Sequence, residues 1–160
     1  MGIIEKMRLD GKKCFITGGA RGIGKCIATA LTEAGADVAI VDIDLDTAQK
    51  TARELAERNG TKVFALRADI TDPADVEAMM ERILKEFGRL DVAFCNAGID
   101  VVVPVEEDTF EGWCRVINVN LNGTFLTAQA AGKVMMKNGG GSIICTASMS
   151  AHITNIPQKE

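Results

Sequence analysis

Cys14-Phe15-Ile16-Thr17-Gly18-Gly19-Ala20-Arg21-Gly22-Ile23-Gly24 decides how the rest of the chain reads. Apolar or small residues lead straight into a glycine-rich turn, and the turn leads straight into a helical pattern from Lys25 to Ala34. A strand, a stretch of bare backbone and a helix start in that order make a phosphate site. Without Cβ atoms the turn bends tightly and approaches an anion closely. The free N–H groups and the positive dipole end of the helix then face the phosphate oxygens.

Outward from that stretch, apolar runs alternate with amphipathic ones, with no internal repeat, low-complexity tract or linker. The first strand covers Lys13–Thr17, and a helix covers Gly22–Ala34, capped by Gly35. Asp37–Ile43 is nearly all apolar, as expected of a strand covered on both faces of a parallel sheet. Leu45–Arg58 is helical, with Leu45, Ala48, Ala52 and Leu55 on one stripe and Asn59-Gly60 as its stop. Lys62–Ala68 is a third strand. Asp72 caps the next helix and Pro73 suits its first position. Val76, Met79, Met80, Ile83, Leu84 and Phe87 form its core stripe, and Gly88 ends it. Asp91–Cys95 is a fourth strand, Thr109–Lys137 one long helix broken by Asn138-Gly139-Gly140-Gly141, and Ser142–Thr146 a fifth strand. This alternation predicts an α/β fold, one domain over residues 1–160, with right-handed crossovers and helices on both faces of a parallel sheet. The expected doubly wound order is 3-2-1-4-5, with a ligand at the C-terminal ends of strands 1 and 4.

Composition excludes several classes. The 160 residues carry 18 basic and 22 acidic side chains, net charge −4, and no basic run, which argues against nucleic acid. Apolar runs fall short of membrane-spanning length, and the first residues do not form a signal peptide. The expectation is a cytoplasmic protein without a membrane partner. Cys14, Cys26, Cys95, Cys114 and Cys145 are odd in number with no C-x-x-C spacing, and are expected to be small buried hydrophobes in a reducing compartment. One histidine and scattered cysteines do not make a metal site.

The glycine spacing, Gly18-x-x-x-Gly22-x-Gly24, is not the G-x-G-x-x-G fingerprint. Gly18 makes the tight turn, Gly22 admits the phosphate, and Gly24 lets helix and strand pack. Arg21 and Ile23 flank them. Asp42 ends the second strand, 18 residues after Gly24. A carboxylate there accepts from both hydroxyls of an adenosine ribose and repels a 2′-phosphate. Ile43, not a base, follows it. NAD is therefore expected over NADP, although Arg21 could reach a 2′-phosphate. Asp69-Ile70 ends the third strand: Asp69 either accepts from the adenine amino group, with Ile70 against the ring, or solvates a turn. Asn96-Ala97-Gly98, after the fourth strand, either leaves room for the sugars and nicotinamide or is a plain turn.

Thr17-Gly18-Gly19-Ala20-Arg21-Gly22-Ile23-Gly24, Asp69-Ile70, Asn96-Ala97-Gly98, Val119-Asn120-Leu121 and Ser148 together resemble a short-chain dehydrogenase/reductase, in order and at the right intervals. The resemblance implies a Rossmann-type fold, NAD(H) or NADP(H), and hydride transfer at a secondary alcohol or ketone. It implies an Asn–Ser–Tyr–Lys catalytic group. Asn120 matches the Asn, which holds a water linked to the Lys. Asn118 lies two residues away, about 200° round a helix, so one of the two faces the site. Ser148 matches the Ser that holds the substrate oxygen, and Ser150 is either a supporting donor or a loop residue.

Two departures stand out. Cys95-Asn96 replaces the family's usual Asn-Asn, removing an amide that can brace the sheet. The chain also contains no Tyr, and the Tyr-x-x-x-Lys position falls just beyond Glu160. Lone His152 does not replace it. The 160 residues alone are therefore expected to be inactive, with strand 5 left as a hydrophobic edge and the last strands, cofactor lid and subunit-pairing helix missing; a full-length chain would form a dimer or tetramer. Residues Ser148–Gln158, with His152, Asn155 and Gln158, resemble the substrate loop of polyol and sugar dehydrogenases. A second reading is a non-catalytic dinucleotide-binding or interaction module.

Overall fold

The computed structural model describes residues 2–104 and 106–149. Among these, five parallel strands form one sheet in the order β3-β2-β1-β4-β5: β1 (Lys13–Thr17), β2 (Asp37–Asp42), β3 (Val63–Arg67), β4 (Val92–Cys95) and β5 (Ser142–Cys145). The order is the one expected from the sequence. Helices α2 (Gly22–Glu33), α3 (Leu45–Asn59), α4 (Pro73–Phe87), α5 (Phe110–Ile117) and α6 (Thr124–Lys137) connect them. A one-turn helix, α1 (Ile3–Lys6), precedes β1 and carries no apolar stripe that would have announced it.

Alternation along the strands builds two cores. Cys14, Ile16, Val38 and Ile40 point to α2 and α3, where they meet Ala28, Leu31, Ala48 and Leu55. Phe15, Ala39 and Val41 point the other way, onto Val76, Met79, Met80 and Ile83 of α4 and Ala131 and Met135 of α6. Every side chain of β1 beyond Lys13 and of β2 beyond Asp37 is buried, which is why neither strand shows a polar face. The helix ends follow their signals. Asp44 accepts from Thr47 N–H at 3.1 Å, and Asp72 from Ala74 N–H at 2.9 Å with Pro73 in the first turn. Gly60 and Gly88 take the left-handed conformation that stops α3 and α4.

Two expectations are corrected. The helix read as continuous from Thr109 to Lys137 contains a π-helical turn at Asn118–Gly123, between α5 and α6. Gly123 packs there so closely that a Cβ would lie 2.7 Å from Ile70 Cδ1. The cysteines do not all behave as core residues. Cys14 and Cys95 are buried, whereas Cys26, Cys114 and Cys145 are exposed, two on outer helix faces and one on the edge strand. Cys95, where the family usually has Asn, is buried at 2% exposure. All four residues of β5 are exposed, including Ile143 and Ile144, as expected of an edge. Among the described residues no helix is long and apolar enough to cross a membrane.

Candidate functional site

Sheet order reverses between β1 and β4, and the strand ends there are tied together. Thr17 Oγ1 accepts from Asn96 N–H at 3.0 Å and from Ala97 N–H at 3.1 Å. Asn96 Nδ2 donates to the Thr17 carbonyl at 3.1 Å and lies 3.4 Å from that of Gly18. Thr146, just past β5, donates from Oγ1 to Asn96 Oδ1 at 3.0 Å. Asn96 thus links three strands, while its backbone opens the crevice beyond them.

The glycine turn sits on this brace. Gly18 has φ +64°, and a Cβ on Gly24 would fall 2.0 Å from the Gly18 carbonyl oxygen, so α2 meets β1 at a distance only glycine permits. Around Gly22 a Cβ would meet nothing within 4 Å, and this part of the turn is open. Ala20 is pinned from both sides. Its N–H donates to Asp42 Oδ2 at 3.1 Å, and its carbonyl accepts from Thr51 Oγ1 at 2.8 Å. Arg21 precedes α2 without a side-chain cap, and the first turn of α2 carries no acidic residue. A helix start in that condition favours an anion.

A crevice of about 690 Å³ runs across the strand ends, within the range of roughly 300–1,000 Å³ typical of small-molecule sites. Gly18, Arg21, Ile23, Gly24, Asp42, Asp69, Ile70, Asn96, Ala97 and Gly98 all line it, and Gly22 lies between lining residues. Asp42 is 9% exposed; its Oδ1 accepts from Asp44 N–H at 3.1 Å. Asp69 Oδ1 takes both the Thr71 N–H at 2.9 Å and the Thr71 hydroxyl at 2.7 Å, which hold its carboxyl below the usual range.

Neither expected catalytic residue lines the crevice. Asn120 stands at its rim. Its Oδ1 accepts from Ile99 N–H and its Nδ2 donates to the Ile99 carbonyl, each at 2.9 Å, and Ile99 is itself a wall residue. Asn118, passed over because the resemblance matched Asn120, does line the crevice, whereas the Asn120 side chain is taken up by Ile99 at the rim. Ser148 is exposed, beyond β5. Ser150, His152, Asn155 and Gln158 lie outside the described residues. Sequence reasoning also missed Thr51 and Thr146, whose hydroxyls hold the turn and Asn96; a threonine in a helix or at a strand end gives no signal of that partner by itself.

The short chain dehydrogenase family model matches residues 12–159. The chain belongs to the short-chain dehydrogenase family. Among curated relatives, it is 40% identical over 147 residues to D-threitol dehydrogenase of Mycolicibacterium smegmatis, covering 91% of this chain and 56% of that one. It is 37% identical over 155 residues to NADP-dependent mannitol dehydrogenase of Alternaria alternata, covering 95% and 58%. A short-chain type dehydrogenase/reductase from Mycobacterium marinum has a crystal structure that superposes with a TM-score of 0.94 at 44% identity, covering 99% of this chain and 64% of that one. This short-chain dehydrogenase chain therefore spans less than two thirds of the length of each. The expected family and fold are those found. Since one relative is named as NADP-dependent, membership alone does not choose between NAD and NADP.

Proposed function

We propose that the chain is the dinucleotide-binding portion of an oxidoreductase that moves a hydride between a nicotinamide cofactor and a secondary alcohol or ketone of the polyol or sugar class. The relative named D-threitol dehydrogenase supports the substrate class. The observation that carries the cofactor is the cradle: a left-handed Gly18, a Gly24 with no room for a Cβ, and an uncapped α2 start opening on a crevice that ends at Asp42. These residues suit a pyrophosphate at Gly18–Gly24, ribose hydroxyls on Asp42, and adenine between Asp69 and Ile70. Asn96, Ala97 and Gly98 leave the far end clear for the nicotinamide, which would take or give the hydride when bound.

NAD is the expected partner. Asp42 presents a buried negative charge where a 2′-phosphate would sit, and no base follows it. Arg21, at the start of α2 beside that charge, has its guanidinium 3.6 Å from Asp44 Oδ2. That surface pair is worth less than about 1 kcal/mol, so it biases the choice and Asp42 decides it.

Ser148 holds the substrate oxygen, and Asn120 orders a relay water. Each Asn120 side-chain atom keeps one hydrogen-bonding position beyond its bond to Ile99. The proton itself is assigned by resemblance to a Tyr, and the 160 residues contain none. The polypeptide alone therefore binds dinucleotide without turnover, whereas a chain that continues through a Tyr-x-x-x-Lys segment oxidises polyols. The test is NADH formation from threitol, sorbitol and mannitol by the two forms side by side. Turnover by the 160-residue form, or none by the longer form with any polyol, contradicts the proposal.

A further inference from the structure

Cys95 and Cys145 are directly paired positions in the β4–β5 ladder. Neighbouring strands lie about 4.7–4.9 Å apart, inside the Cα separation of about 4.4–6.8 Å that a disulfide bridges. The two side chains also share a face. Ala93, two residues before Cys95, belongs to the core under α4 and α6. Ile143, two residues before Cys145, lies 3.7 Å from where a Cβ on Gly132 of α6 would stand. Side chains repeat every second residue along a strand, so both thiols point toward α6. They are close enough to interact: burial first, then the Cys145 thiol, pushes the Cys95 thiol up to about 12. Cys26 and Cys114, by contrast, sit exposed on α2 and α5.

We propose that Cys95 and Cys145 form a dithiol modification site that closes to a cross-strand disulfide by exchange with a low-molecular-weight disulfide of the glutathione class. Cys145, the exposed member, reacts first. Its thiolate attacks one sulfur of the reagent, the reagent S–S bond breaks, and one reagent thiolate leaves. Cys95 then gives up its proton and attacks Cys145 Sγ, expelling the second reagent thiolate. The protein dithiol loses two electrons, the reagent is reduced to two thiols, and the protons from Cys145 and Cys95 end on them. Because Cys95 holds its proton at neutral pH, the second step is slower and quickens as pH rises. The strands need not separate, since Thr146 N–H already donates to the Cys95 carbonyl at 3.1 Å. The site depends on the ladder, whatever occupies the crevice.

The test uses the chain carrying Cys26→Ser and Cys114→Ser, which leaves Cys14, Cys95 and Cys145. It is treated with oxidised glutathione, quenched with an alkylating agent and mapped by peptide mass. The expected product is one intramolecular Cys95–Cys145 bond, with closure from the Cys145 mixed disulfide accelerating about tenfold per pH unit near neutrality. Adding Cys95→Ser, checked for native circular dichroism, is expected to halt the reaction at that mixed disulfide; Cys145→Ser, on the exposed strand, removes it. A mixed disulfide that persists at Cys145 when Cys95 is present, two unreacted thiols, or a bond to Cys14 overturns the proposal.

Discussion

The Asp42 carboxylate accepts from the Ala20 N–H at 3.1 Å, so the residue that ends β2 also holds the glycine turn between β1 and α2. Its other oxygen takes the Asp44 N–H, and Thr51 secures the far side of the Ala20 peptide. The glycine turn and the end of β2 are one mechanical unit. The consequence is that a substitution at Asp42 also disturbs the glycine turn.

Asp42→Ala is predicted to leave the buried Ala20 N–H without an acceptor, costing about 1–3 kcal/mol of stability. It is also predicted to weaken NADH binding by about tenfold or more while NADPH loses little, because the repelled phosphate is no longer opposed. Thermal unfolding and fluorescence titration with both coenzymes measure the two effects. A variant with unchanged melting temperature and an unchanged NADH-to-NADPH ratio contradicts the assignment.

Gly24→Ala and Gly22→Ala should separate close packing from backbone conformation. At Gly24 the new Cβ collides with a backbone carbonyl at 2.0 Å, and backbone must shift. Overpacking of that kind costs about 1–3 kcal/mol or more, a fall of about 2–4 °C in melting temperature per kcal/mol for a chain of this size. At Gly22 the Cβ meets nothing, and the cost is the left-handed φ of +56°, about 1–2 kcal/mol. A Gly24→Ala chain as stable as Gly22→Ala would show that α2 does not pack on β1 as described.

Acid is predicted to destabilise the fold through Asp91. This carboxylate is 7% exposed. Burial alone would raise its pKa, but the Lys13 N–H at 2.9 Å, Arg89 at 2.5 Å and Lys12 outweigh it and hold the carboxyl below its ordinary value. Asp69 is lowered as well, by Thr71. A depressed folded-state pKa contributes stability that is present above the unfolded value, about 3.9. That contribution is lost as pH falls through the folded value, where the unfolded state binds more protons. Urea midpoints taken from about pH 6 downward should fall, and Asp91→Asn should flatten part of the slope. Midpoints independent of pH over that span would contradict it.

Strand order was legible because the glycine turn, the two largely apolar strands β1 and β2 and the capped helices each carry a local signal. Gly18, Gly24 and Asp42 line one crevice. The π-helical turn was not legible, because its cause is tertiary: Asn120 reaches across to Ile99, and Gly123 closes on Ile70. A helical wheel drawn through residues 118–120 separates the two asparagines, and it is Asn118 that lines the crevice while Asn120 braces Ile99 at its rim. The cysteines misled for a related reason. Residue type gives an average burial, but Cys26 and Cys114 lie on outward faces and Cys145 on an edge, which only register and neighbours decide.

The central claim is that main-chain amides at Gly18–Gly24 grip a pyrophosphate while Asp42 reads the sugar. Calorimetric titration of the folded 160-residue chain with NADH and with NADPH tests it most directly. The account predicts saturable binding of NADH, tighter than NADPH, with Asp42→Ala narrowing the difference. No heat with either coenzyme, or tighter binding of NADPH, would contradict it.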